Sequence, residues 1–276
     1  MAKSESSSRI VTSVVAVISA AALAVSLIAA GFAACAVPDV STKALASAYS
    51  TDDASPFTKD ELVAAAVQTK HYTIDDNDKA AVYATIAAIN AQEALAGTAG
   101  KGAPKIDATA NYAAGELSGE QVAALETAFD AASERYVLTP DAVSHLDDVF
   151  GVVQAAKWWL LAAVVAACVG CTATAFRGGK RLLGRVLAGA GVSVLAVFAL
   201  LAAWVAIDFD GFFAQFHSLF FAAGTWTFSW DSLLICMYPP EFWVGMGAIW
   251  LVVTVACCVV CITIGRLLRK GSTQKR

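Results

Sequence analysis

Between Pro38 and Lys157 the chain has no cysteine, between Asp208 and Glu241 it has no lysine or arginine, and histidine occurs only three times in 276 residues. The first absence excludes a disulfide scaffold for the 38–157 segment. The third confines any imidazole chemistry to His71, His145 and His217. Charge is scarce as well: 15% of residues are charged and 58% hydrophobic, well outside the composition of soluble domains. The chain therefore belongs to a bilayer.

Four apolar stretches carry that composition: Ile10 to Val37, Trp158 to Phe176, Val186 to Ile207 and Phe242 to Leu267. Each is close to or above the roughly 20 residues a membrane helix needs. Hydrocarbon forces the backbone to satisfy its own hydrogen bonds, and apolar runs of this length do so as helices. The lack of alternation excludes a β-barrel. The expected fold class is mainly all-α, a polytopic membrane protein with four transmembrane helices and a helical extracytoplasmic domain between the first two. The expected organisation is residues 1–37 as cytoplasmic N-terminus and first span, 38–139 as the extracytoplasmic domain, and 140–276 as spans two to four, with an interfacial loop at 208–241.

Orientation follows from the basic residues, which resist translocation when they lie in short loops. Arg177, Lys180, Arg181 and Arg185 sit between the second and third stretches; Arg266, Arg269, Lys270, Lys275 and Arg276 follow the fourth; Lys3 and Arg9 precede the first. These segments are read as cytoplasmic, both termini included, in a multi-pass protein of the cell membrane. The other side then holds 22 of the 23 acidic residues, Glu5 being the exception, which excludes nucleic acid as a partner of the outer loops.

Two cysteine patterns suggest other chemistry. Phe32-Ala33-Ala34-Cys35 loosely resembles a lipoprotein cleavage box, but the apolar run before it far exceeds the roughly 7 to 15 residues of a signal peptide, and a retained signal anchor fits better. Cys168-Val169-Gly170-Cys171 has the spacing of a thiol oxidoreductase. It lies some ten residues into the second span, about 15 Å from the membrane face, where a thiolate is disfavoured. Both cysteines are read as small packing residues.

The 38–139 segment reads as helical. Thr58-Lys-Asp-Glu61 and Ser118-Gly-Glu-Gln121 are capping boxes, and Val122, Leu125, Phe129 and Ala132 follow the second at helical spacing. Lys79 to Leu95 forms another helix, and Gly97 to Pro104 a glycine-rich loop. The segment is rich in alanine and poor in aromatics, so its own core is expected to be thin. Nothing in it suggests a soluble enzyme. His71, beside Tyr72, is read as structural or incidental.

Two places suit chemistry better. In Thr139-Pro140-Asp141-Ala-Val-Ser-His145-Leu-Asp147-Asp148, Thr139 caps a helix with Pro140 at its first position. His145 and Asp148 are three apart and share a face, so Asp148 is placed to orient the imidazole. The plain alternative is a solvated helix face. The second place is the connection from Asp208 to Glu241. Its aromatic density marks the headgroup region, its apolar stretches are too broken to span, and a polar residue such as His217 at that depth is a candidate for function. An aromatic belt with an incidental histidine accounts for the same composition.

Phe216-His217-Ser218-Leu-Phe220-Phe221, Gly224-Thr-Trp226-Thr-Phe228, Asp231-Ser-Leu233-Leu234 and Tyr238-Pro239-Pro240-Glu241-Phe242-Trp243, taken with His145-Leu-Asp-Asp148-Val149, resemble the bacterial lipoprotein intramolecular transacylases and their uncharacterised relatives. Likeness is dense from about Leu138 to Phe242 and faint before it. The resemblance implies an acyltransferase that moves the sn-2 acyl chain of a diacylglyceryl-modified N-terminal cysteine to that cysteine's own α-amino group, giving a lyso-form lipoprotein. It implies a catalytic His145 and His217, with Asp148 orienting His145. Gln215, Phe216, Ser218, Phe220, Phe221, Trp226, Tyr238 and Trp243 become the substrate-binding residues. The partners would be a diacylated lipoprotein and membrane lipid, with no cofactor and no metal. Two alternatives stay open: a metal-dependent membrane protein in which His145, Asp148 and His217 form a 2-His-1-carboxylate site, and a non-catalytic membrane interaction protein using the acidic outer domain.

Overall fold

A computed structural model describes residues 2–112 and 117–271, the side chains of 2–7 excepted. Lys275 and Arg276, counted above toward orientation, lie outside these residues. Regular structure among them is helical, with no strand: α1 (Ala2–Ala36), α2 (Asp39–Tyr49), α3 (Lys59–Ile74), α4 (Lys79–Ala96), α5 (Gly119–Asp130), α6 (Pro140–Ile207), α7 (Phe209–Ser218), α8 (Leu233–Met237) and α9 (Pro240–Gly271). Three helices are long and apolar enough to cross a membrane: Ser8–Ala36 within α1, Pro140–Ile207 and Pro240–Gly271.

The 68 residues of α6 carry both the second and the third apolar stretch. The basic connection between them was expected as a loop; instead it is helical on both sides of one residue, Gly179, at φ 68° and ψ −175°. That backbone region is essentially open to glycine alone, so one residue suffices to break the helix. Lys180, Arg181, Leu182 and Leu183 are good helix formers and resume it at once.

Contacts divide the chain into two units: residues 1–35, 155–214 and 248–276, and residues 36–154 and 215–247. The first unit packs its helices through small residues. A Cβ at Gly170 would stand 2.3 Å from Ser19 Oγ, one at Gly31 would stand 2.0 Å from Thr254 Oγ1, and one at Gly191 would stand 3.0 Å from the Cys258 carbonyl. Backbones approach this closely because lipid gives no hydrophobic drive for association, and dispersion and polar contacts replace it. Trp250 Nε1 donates to the Ile28 carbonyl at 3.0 Å, and Leu27, Val194, Phe198 and Cys258 close a small core.

In the second unit both capping boxes form: the Thr58 and Ser118 hydroxyls accept from the amides of Glu61 and Gln121, whose side chains reach back to the cap amides. Asp78 caps α4 on the Ala81 amide. The expected thin core is instead substantial. Leu62, Ile86, Phe129, Val137 and Leu138 are joined by Leu233, Met237 and Phe242 from the 215–247 stretch. Each such side chain contributes roughly 1.5–3 kcal/mol on burial. The alanines of α3 and α4 let helices approach, and the missing bulk arrives from a distant part of the chain. Main-chain bonds fix that segment: Thr51 N donates to the Cys236 carbonyl at 2.9 Å and Leu233 N to the Glu134 carbonyl at 2.8 Å. Arg135 pairs with Asp231 at 3.6 Å.

His71 sits apart from any motif, as expected. Its ring lies between Asp75 at 2.6 Å and Asp39 at 3.2 Å, beside the buried Lys70, whose ammonium donates to the Val37 carbonyl at 2.6 Å. This ties the start of α2 to the end of α3.

Candidate active site

Thr139 begins the site. Its hydroxyl accepts from the Ala142 amide at 3.3 Å, Pro140 opens α6, and the first turns carry Ala142, Val143 and Leu146 into the core. His145 shares that inward face and is only 8% exposed, whereas Asp147 and Asp148 turn outward. The helix is pinned on its outer side by Asp147, whose Oδ1 accepts from the Tyr72 hydroxyl and from Asn77 Nδ2 at 3.2 Å.

His217 stands on the last turn of α7, and the chain folds back immediately after it. The His217 carbonyl accepts from both the Phe220 and Phe221 amides, at 3.0 and 2.9 Å. That turn brings Phe221 against both imidazoles, 4.8 Å from the His145 centroid and 5.7 Å from that of His217. The two imidazoles are 6.2 Å apart, centroid to centroid, with planes 29° apart. Trp226 lies 4.9 Å beyond His217 at 32°, and Phe228 lies 5.7 Å from His145. Phe228, quoted in the sequence motif but absent from the expected site residues, is thus part of the enclosure; the alternating Trp226-Thr227-Phe228 pattern was its only signal.

This enclosure sets the electrostatics. Burial, and after it the proximity of His217, push His145 down from its ordinary 6.5 to about 4, against a weaker upward pull from Asp148. Desolvation penalises the charged ring, and a second imidazole adds like charge. At neutral pH His145 is uncharged. Its Nδ1 is buried and has no hydrogen-bond partner among the described residues, and neither ring nitrogen makes the expected donation to the Asp148 carboxylate. Asp148 acts on the ring only through its charge.

The remaining expected residues fall into two groups. Phe216 and Phe220, 43% and 48% exposed, pack on one another at 5.3 Å. On the same turn Gln215 Nε2 donates to Ser218 Oγ at 3.2 Å, while that hydroxyl donates to the Gln215 carbonyl at 2.8 Å. Tyr238 belongs to the core: it is buried, and its hydroxyl donates to the Ala66 carbonyl. Trp243 packs 5.8 Å from it and donates through Nε1 to its carbonyl at 3.2 Å. A 2-His-1-carboxylate centre needs a third ligand, and among the described residues no group of three or more His, Cys, Asp or Glu comes together in that way.

Residues 107–243 match the family model described as lipoprotein intramolecular transacylase Lit. No curated protein sequence matches the chain. Solved structures of the membrane-integral lipoprotein intramolecular transacylase Lit from Bacillus cereus share its fold. One aligns at TM-score 0.62 and 15% identity over 96% of this chain and 98% of the other. A histidine-to-alanine variant aligns at 0.61 over 96% of both chains, and a histidine-to-arginine variant at 0.63 over 99% of both, each at 15% identity.

Proposed function

We propose that this chain, whose residues 107–243 carry the lipoprotein intramolecular transacylase family match, moves the sn-2 acyl chain of a diacylglyceryl-cysteine to the α-amino group of the same cysteine. The observation that carries this reading is the pair of imidazoles 6.2 Å apart inside an aromatic enclosure. Two hydrogen bonds of about 2.8 Å to one reacting group span a gap of that order.

The roles follow from the surroundings of each ring. An α-amine, with a pKa near 8, must shed a proton before it attacks an ester carbonyl. His145, held near pKa 4, is too weak a base for that work, which needs a pKa close to the operating pH. His217 takes the proton. The amine nitrogen bonds to the ester carbon, the oxyanion collapses with cleavage of the bond between the acyl carbon and the glyceryl oxygen, His217 gives its proton to that departing oxygen, and the new amide nitrogen releases its surplus proton through His217 to solvent. Neutral His145 donates a hydrogen bond to the oxyanion, a contact strengthened by low local dielectric. Placing amine and ester in one molecule supplies the proximity, and Phe221, Phe228 and Trp226 exclude the water that would otherwise hydrolyse the ester. Exposed Phe216 and Phe220 offer the acyl chain an apolar surface, Trp243, held on buried Tyr238, offers a second one, and Gln215 and Ser218 serve the polar glyceryl end. Asp148 contributes its negative charge near His145.

The reading includes four spans, because a 68-residue helix is about 100 Å long, three times the roughly 30 Å hydrocarbon core, and Gly179 breaks it between two apolar halves. Both termini and the basic connection lie in the cytoplasm, with residues 38–139 and 208–241 outside and spans two to four within 140–276. The substrate is a diacylated lipoprotein embedded in membrane lipid, and no cofactor is required. The test is mass spectrometry of a reporter lipoprotein's N-terminal peptide from cells lacking other N-acylating enzymes. The N-acyl, mono-O-acyl form is expected with this protein and the diacyl form without it. A diacyl product from well-expressed protein overturns the assignment.

A further inference from the structure

Arg181, Arg266, Arg269 and Lys270 surround one cavity of about 240 Å³ in the first unit. Two of its walls are the helix that resumes after Gly179 and the end of α9, and glycines hold them together. A Cβ at Gly184 would stand 2.5 Å from the Gly265 carbonyl, and one at Gly265 would stand 2.6 Å from the Gly184 carbonyl. Gly184 lies one turn beyond Arg181, and Gly265 directly precedes Arg266. The Arg269 side chain crosses over Gly184, its Cγ 2.9 Å from where a Cβ would be. Backbones this close force the four cations onto one opening.

Retention on the cytoplasmic side accounts for the number of basic residues here. It does not account for their convergence, which costs mutual repulsion unless an anion is shared. Among the described side chains of this unit the only acids are Asp208 and Asp210, which follow the far end of α6. Arg181, Arg266 and Lys270 make no ion pair among the described residues.

We propose that this cavity binds the phosphate of an anionic membrane lipid. Guanidinium forks match phosphate oxygens in two-point geometry, and basic pockets between membrane helices near the headgroup layer suit such lipids. A bound phosphate would clamp the helix after Gly179 to α9. The proposal is independent of the transacylase reading.

Native mass spectrometry of the purified full chain tests it, using dioleoylphosphatidylglycerol, dioleoylphosphatidylcholine and inorganic phosphate as separate probes. The wild type is expected to retain phosphatidylglycerol over phosphatidylcholine. Arg181→Gln with Arg266→Gln should weaken it roughly 30-fold, about five-fold per charge. Arg177→Gln with Arg185→Gln removes equal charge from the same connection without touching the cavity and should leave retention nearly unchanged. Equal losses in both double variants would mean diffuse charge and overturn the site. Retention of inorganic phosphate with no preference for phosphatidylglycerol would overturn the lipid assignment. Should the first double variant misfold, a photoactivatable phosphatidylglycerol on wild-type protein decides: labelling confined to peptides bearing Arg181 or Arg266 supports the cavity, and labelling spread over all spans refutes it.

Discussion

Replacing Phe228 by alanine should raise the pKa of His145 without touching either imidazole. Phe228 covers His145 at 5.7 Å, and burial is the largest cause of the fall from 6.5 to about 4. Removing one of the two rings on that side admits water and should return at least one unit, worth about 1.4 kcal/mol. The same depression affects folding. Between pH 6.5 and 4 the unfolded chain holds a proton on this residue that the folded chain lacks, so stability rises with pH across that window and His145 imposes no penalty above it. The full depression corresponds to about 3 kcal/mol at the acid end. NMR titration of ring-labelled histidine in detergent micelles measures both values. Wild-type His145 should stay neutral to about pH 5, and Phe228→Ala should titrate closer to 6.5, bringing a new acidic limb into the pH profile of acyl transfer. A wild-type His145 titrating near 6.5, or a variant that leaves its pKa unchanged, would refute the burial argument and with it the assignment of His217 as base.

Other consequences are simpler to read. Tyr72→Phe removes one of two donors from Asp147 and should lower melting stability by about 1–3 kcal/mol, with a larger loss for Asp147→Leu; circular dichroism during heating measures it. Thr58→Ala deletes a capping box and should cost about 1 kcal/mol while leaving acyl transfer intact in a lipopeptide assay. Gly31→Leu, which meets Thr254 and the Trp250 carbonyl, should destabilise the first unit by at least 1–3 kcal/mol, seen as loss of monodisperse protein on size exclusion.

The long elements were legible for definite physical reasons. Bilayer crossing needs unbroken apolar runs, and caps need specific side chains, so α1, α9, both capping boxes and the Thr139-Pro140 start of α6 follow from local chemistry. The helix through Lys180 to Arg185 was not legible, because charge suggests a loop and only the backbone angles of Gly179 reveal a one-residue break. The core of the second unit was underestimated because Leu233, Met237 and Phe242 lie more than 100 positions beyond α3, α4 and α5, the helices they complete. His145 and His217 were singled out through motif likeness, which carried no distance between them; the structure brings the two rings to 6.2 Å. The Asp148 hydrogen bond failed because three-residue spacing gives a shared face and no more: α6 turns His145 inward and leaves Asp148 in the open.

The most direct measurement of acyl transfer is a crossover experiment. Purified protein is mixed with two diacylglyceryl lipopeptides of different mass, only one carrying an isotopically labelled sn-2 chain, and the products are fragmented by mass spectrometry. The account predicts label on the α-amine of the lipopeptide that first carried it, no free fatty acid, and a loss on the order of 10²- to 10⁴-fold for His145→Ala and for His217→Ala. Label on the other lipopeptide, release of free acid as the main product, or undiminished transfer in either histidine variant would contradict it.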